Sequence, residues 1–137
     1  MTTVARISII LALAHFAAPS AIAGEAIDCS NPTSTVEMNE CADRELAAAD
    51  AKLNAAYDKA LKSLKDLASD PPFDAKAWEE ALRKSQRAWI AFRDAECKDH
   101  VPMFWSGGTG TTSAVLGCLS RKTKERTEEL EESYASQ

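Results

Sequence analysis

The run from Gln86 to Cys97, Gln86-Arg87-Ala88-Trp89-Ile90-Ala91-Phe92-Arg93-Asp94-Ala95-Glu96-Cys97, is the densest concentration of chemically unusual side chains in the chain. Trp89 and Phe92 stand three apart, Gln86 and Arg93 lie one helical step either side of Trp89, and the run ends on a cysteine. On a helix these spacings place an amide and a guanidinium on the face that carries two aromatic rings. Such a set can recognise a partner, or it can satisfy its own polar groups inside a helical bundle. The helical stripe spacing of the aromatics favours the second reading. Asp50, Asn54, Tyr57, Gln86, Trp89, Arg93, Asp94 and Arg126 are therefore read as a structural polar network that joins helices. Within it Arg126 needs a carboxylate or several carbonyls, and Asp50 or Asp94 are the candidate carboxylates.

Covalent chemistry finds little footing. A Ser or Cys nucleophile needs a base, and the only histidine beyond the first two dozen residues is His100, close to Cys97. The cysteines are separated by 11, 55 and 20 residues, with no Cys-x-x-Cys pair, which argues against zinc. Gly107-Gly108-Thr109-Gly110 lacks a Walker lysine and a preceding strand, so it is not a phosphate loop. The many carboxylates fall in charge runs of the kind that face solvent. No catalytic residue, metal site or cofactor is assigned, and the chain reads as a non-enzyme. A small hydrolase is the weaker alternative.

The elements that must position these residues follow from the rest of the chain. Arg6, the apolar run Ile7 to Ala18 and the small residues Ala21-Ile22-Ala23 form a secretory signal pattern over residues 1–23. The apolar run is too short for a comfortable membrane span. The first cysteine is Cys29 rather than the residue after the cleavage site, so a lipid anchor is not expected. Residues 24–137 then make one small helical domain. Removing Arg6 from the 16 basic residues leaves 15 against 21 acidic, a net charge of −6. That balance disfavours nucleic acid and favours a cationic protein partner. A soluble protein of the periplasm or the extracellular space is expected, without stable membrane insertion.

Ser34-Thr35-Val36-Glu37 reads as a capping box, and a helix runs from there to about Ala68 on the stripe Ala42, Leu46, Ala49, Leu53, Ala56, Ala60, Leu64, Leu67. Pro71-Pro72 breaks it. Asp74 caps a second helix, with Phe73 placed to staple onto Trp78. That helix carries Trp78, Leu82, Ser85, Trp89, Phe92 and Glu96, so the first two helices form an antiparallel hairpin. A loop follows from His100 to Thr112, and a third helix starts near Ser113 with the stripe Leu116, Leu119, Thr123, Arg126, Leu130, Tyr134. The fold class is all-α: a small disulfide-stabilised three-helix bundle, a long antiparallel helical hairpin plus a third helix after a Gly-rich loop.

Four cysteines in an exported chain read as two disulfides. Helix lengths put all four at one end of the hairpin, so geometry alone does not choose among the three pairings. Cys29–Cys41 with Cys97–Cys118 is preferred, the first pinning the lead and the second closing the loop; Cys41–Cys97, stapling the hairpin, is the alternative. The loop itself has two readings. Phe104 and Trp105 fold back on the core, or His100, Phe104, Trp105, Ser106, Thr109, Thr111 and Thr112 form a projecting partner-binding surface.

The combination of Cys29, Glu40-Cys41-Ala42, Ala49-Asp50-Ala51-Lys52-Leu53-Asn54-Ala55-Ala56-Tyr57, Gln86 to Cys97, Gly107-Gly108, Cys118-Leu119, Thr123 and Arg126 to Leu130 resembles the LprI-like family, the lysozyme-inhibitor LprI-type N-terminal domain formerly described as a domain of unknown function. The resemblance covers nearly all of residues 24–137 and departs from the lipoprotein namesake in lacking a lipobox. It implies a small, helical, disulfide-bearing exported domain and, through the family's name, lysozyme inhibition; the expected mechanism is that the −6 domain is steered to a cationic lysozyme and its projecting loop blocks the cleft by protein contact. The competing expectation is a cell-envelope interaction module with another partner.

Overall fold

The computed structural model describes residues 27–134, all in helices and short connections, so the signal pattern over residues 1–23 lies outside the described residues. Helix α1 spans Thr35–Leu67 and α2 spans Ala75–Asp94. A π-helical turn, Ala95–His100, leads without a break into the short helix α3, Val101–Trp105. Helix α4 spans Thr111–Tyr134. The three long helices form a bundle closed by two disulfides, Cys29–Cys41 and Cys97–Cys118.

The helix starts have local causes. Ser34 Oγ accepts from the Glu37 N–H at 3.2 Å, and Glu37 Oε2 accepts from the Ser34 N–H at 3.1 Å and the Thr33 N–H at 2.6 Å. These bonds use donors that the first turn would otherwise leave unpaired. The same amide and hydroxyl donors, those of Thr33 first, hold the Glu37 carboxyl below its ordinary range. Asp74 accepts from the Ala77 N–H at 2.9 Å at the start of α2. Phe73, however, is exposed rather than stapled.

The antiparallel hairpin of α1 and α2 is present, and the third helix completes its packing. Helix α1 makes its main contact with α4, which runs parallel to it, rather than with the antiparallel α2. The reason lies in side-chain size. Ala49, Ala56 and Ala60 of α1 are buried, as are Ser120, Thr123 and Thr127 of α4, and small residues on both sides let the two backbones approach closely. Helix α2 buries only Leu82 completely. Leu82 joins Leu53, Ala56, Ala60, Leu64 and Leu130 in the main apolar cluster, with Trp89 and Tyr57 packed at its edge. Phe92 does not enter the core: it is 55 % exposed, with the Lys122 ammonium 5.4 Å from its ring centre. A second cluster sits at the disulfide end, where Cys97, Cys118 and Leu119 meet Leu46, Val101 and Val115.

The expected loop from His100 to Thr112 is mostly helix. Pro102 explains the shape of the join. It has no N–H to give to the Lys98 carbonyl, and its ring would crowd that carbonyl in a regular helix. The π turn widens the path there, and the Val101 N–H donates to the Glu96 carbonyl five residues back. Cys97, fully buried inside this turn, forms the bridge to Cys118 of α4.

Candidate functional site

Two arginines organise the polar groups between helices. The Arg93 side chain is 15 % exposed and touches three long helices at once. Its Nη1 donates to Asp50 Oδ1 of α1 at 3.3 Å and to Thr123 Oγ1 of α4 at 3.1 Å, while Nε donates to Asp94 Oδ1 at 3.0 Å. Its guanidinium carbon lies 5.1 Å from the Trp89 ring centre, so the cation is also held by the indole face. Lys98 Nζ donates to the second oxygen of Asp94 at 2.8 Å. Partial burial alone would raise the Asp94 pKa, but the Lys98 and Arg93 bonds outweigh it and hold the carboxyl below its ordinary value.

Arg126 does not join this set. Its partners are Gln86 Oε1 at 3.1 Å, Ser85 Oγ at 3.1 Å and Glu129 Oε2 at 2.8 Å. Asp50 and Asp94 are taken by Arg93, one turn nearer the disulfide end, which leaves Arg126 to clamp α4 onto the middle of α2. The single network expected from the sequence is thus two separate clamps. Asn54 is exposed and belongs to neither, and Tyr57 is half-buried against the apolar core. Through Asp50 and Thr123 the Arg93 guanidinium ties α2 to both α1 and α4, so this clamp joins the bundle.

The free chemistry lies beyond it, on residues 100–112. His100 and Phe104 stack at 5.0 Å with ring planes tilted 58°, and Glu96 Oε2 lies 3.5 Å from His100 Nδ1. Met103 and Phe104 are each 74 % exposed and Trp105 is 47 % exposed. Three consecutive large apolar residues are thus presented to solvent from a helix, where single exposed residues would be ordinary. Met103, absent from the residues singled out in the sequence, belongs to this surface; its place between Pro102 and Phe104 in a short exposed helix is the signal.

The connection to α4 is short and tightly bonded. Ser106 and Gly107 take positive φ angles of 47° and 75°, the left-handed conformation that ends α3. The Gly108 N–H donates to the Trp105 carbonyl at 2.8 Å, and the Thr111 N–H and hydroxyl donate to the Gly108 carbonyl at 3.0 and 2.7 Å. Trp105 lies over Gly110, where an added Cβ would overlap the six-membered ring of the indole. The Thr111 hydroxyl is therefore spent inside the turn, while Ser106, Thr109 and Thr112 stay exposed. The result is a hydrogen-bonded aromatic tip carried by α3. Among the described residues no cluster of three His, Cys, Asp or Glu side chains is placed to hold a metal, and no helix is long and apolar enough to cross a membrane.

Comparison with known proteins gives these features a family. A family model described as lysozyme inhibitor LprI matches residues 29–130, from the first cysteine to the last buried leucine of α4. An uncharacterised protein of Rhizobium meliloti (strain 1021) is 38 % identical over 109 residues, covering 77 % of each chain. The lipoproteins LprI of Mycobacterium bovis and Mycobacterium tuberculosis are 32 % identical over 83 residues, covering 61 % of this chain and 36 % of theirs. The chain thus spans about a third of the length of the mycobacterial proteins. No solved structure matches it. The match takes in both disulfides, both arginine clamps and the aromatic tip, and the chain belongs to the LprI family.

Proposed function

We propose that this protein is an exported lysozyme inhibitor that acts by contact, laying the aromatic tip across the lysozyme cleft. The observation that carries the reading is the family match over residues 29–130, whose description is lysozyme inhibitor LprI. Three physical features support it. The tip is already ordered by its turn bonds and by the Cys97–Cys118 bridge, so little freedom is lost on docking. Met103, Phe104 and Trp105 are the residue types that anchor interfaces, and the exposed Ser106, Thr109 and Thr112 hydroxyls and the His100 imidazole can donate to carboxylates in a glycosidase cleft. The net charge of −6 for residues 24–137 steers the domain towards a cationic enzyme. No bond is made or broken. The two disulfides belong to an oxidising compartment outside the cytoplasm.

The test is cell-wall lysis by several lysozyme classes, titrated with purified residues 24–137 at low and moderate salt. Dose-dependent inhibition that weakens with salt is expected. Undiminished lysis by every class at micromolar excess sinks the reading and leaves an envelope module with another partner.

A further inference from the structure

A second surface shares no residue with the aromatic tip. Between α1 and α4, with no α2 residue in its lining, runs a groove of about 600 Å³. Its floor is made of Ala49, Ala55, Ala56 and Thr127, so nothing bulky keeps a visitor away. Its rims are charged and of opposite sign. Lys52 and Lys59 stand on the α1 rim, and Glu128 and Glu131 on the α4 rim, all exposed. Lys124, also on the α4 side, is already bound to Glu45 of α1. Among the described residues none of the four rim charges belongs to an ion pair, although neighbouring charges on the same helices do, such as Lys122 with Glu125 and Arg126 with Glu129.

Because α1 and α4 are parallel, this charge arrangement is self-complementary in one way only. Lys59 stands level with Glu131, since Ala56, Lys59 and Ala60 line one small recess with Leu130, Glu131 and Tyr134. A two-fold axis parallel to the helices sets α1 of one copy against α4 of the other and keeps these levels, so Lys59 meets the second copy's Glu131 on both seams, and Lys52 lies on the same seams on the side of Glu128. A two-fold axis perpendicular to the helices sets Lys against Lys and Glu against Glu. We infer that the α1–α4 groove is the seat of a symmetric dimer of this chain, with its helix pairs packed through the alanine floor and its two rims joined by Lys–Glu pairs.

The test is sedimentation of residues 24–137 over a range of concentration and salt. Wild type is expected to dimerise, less so at high salt. Lys52→Glu with Lys59→Glu makes both rims acidic, and Glu128→Lys with Glu131→Lys makes both basic. Each double variant is expected to self-associate about tenfold more weakly or worse. The basic-rim variant moves the net charge towards zero, so its loss of association cannot come from overall repulsion. Mixing the two restores both seams and is expected to give a mixed dimer, as is placing all four changes in one chain. All positions are exposed, and circular dichroism checks that each variant is folded. A wild type that stays monomeric to about 1 mM, rim variants that dimerise like wild type, or a mixture that stays monomeric overturns the inference.

Discussion

Replacing Arg93 by alanine takes from Asp50, Asp94 and Thr123 the donor they share and leaves a carboxylate and a buried hydroxyl facing a gap. The expected loss is about 2 kcal/mol of unfolding free energy, reduced from the value for a fully buried pair because Asp50 is half open to water. Arg93→Lys should recover only part of it, since a compact ammonium lacks the extended planar fork whose separate nitrogens reach Asp94, Asp50 and Thr123; urea unfolding of the two variants checks both statements. Asp94 adds a pH dependence. Its folded pKa lies below the ordinary aspartate value, so its stabilising effect is complete above that ordinary value and is lost as pH falls through the lowered one. Unfolding midpoints of wild type and Asp94→Asn should therefore differ most near neutrality and converge in acid, below the ordinary aspartate range. A gap that stays constant or widens in acid contradicts this role.

At the scale of elements, the two disulfides should behave differently. Cys29 is exposed, whereas Cys97 is fully buried within the π turn. Graded reduction followed by alkylation and mass spectrometry should open Cys29–Cys41 first. Removing Cys97 and Cys118 together should cost about 3 kcal/mol and loosen the aromatic tip, because that bridge ties the π turn to α4 across a separation of 21 residues. Gly110→Ala tests the tip itself. Its new methyl displaces the Trp105 indole, so the Trp105 environment should change in fluorescence and inhibition should weaken, while α1 and α2 keep their stability. The capped helix starts at Ser34 and Asp74 were legible because they depend on a few adjacent residues. The continuous helix through Pro102 was not. Proline after Cys97 and His100 reads locally as a breaker, and only the widened turn around the buried cysteine lets the helix pass.

At the scale of the whole molecule, the helical class and the number of long helices were legible from the apolar stripes, since each stripe follows a 3.6-residue period. The choice of neighbours was not. Pairing α1 with α4 depends on small residues meeting small residues over long sequence separations, and Phe92 shows that a helical spacing does not by itself secure burial. Arg126 went to Gln86 and Ser85 for the same reason: which carboxylate or amide stands opposite is set by the bundle and not by the motif. The family match and the ordered, exposed tip support the proposal that Phe104 and Trp105 enter the lysozyme cleft. The most direct measurement is calorimetric binding of residues 24–137 to a lysozyme, with the cleft empty or filled by an oligosaccharide, alongside Trp105→Ala. Binding is expected to be competed away by the oligosaccharide and to be weakened about tenfold or more by Trp105→Ala. Binding that is indifferent to the filled cleft, or a Trp105→Ala variant that binds like wild type, contradicts the proposal.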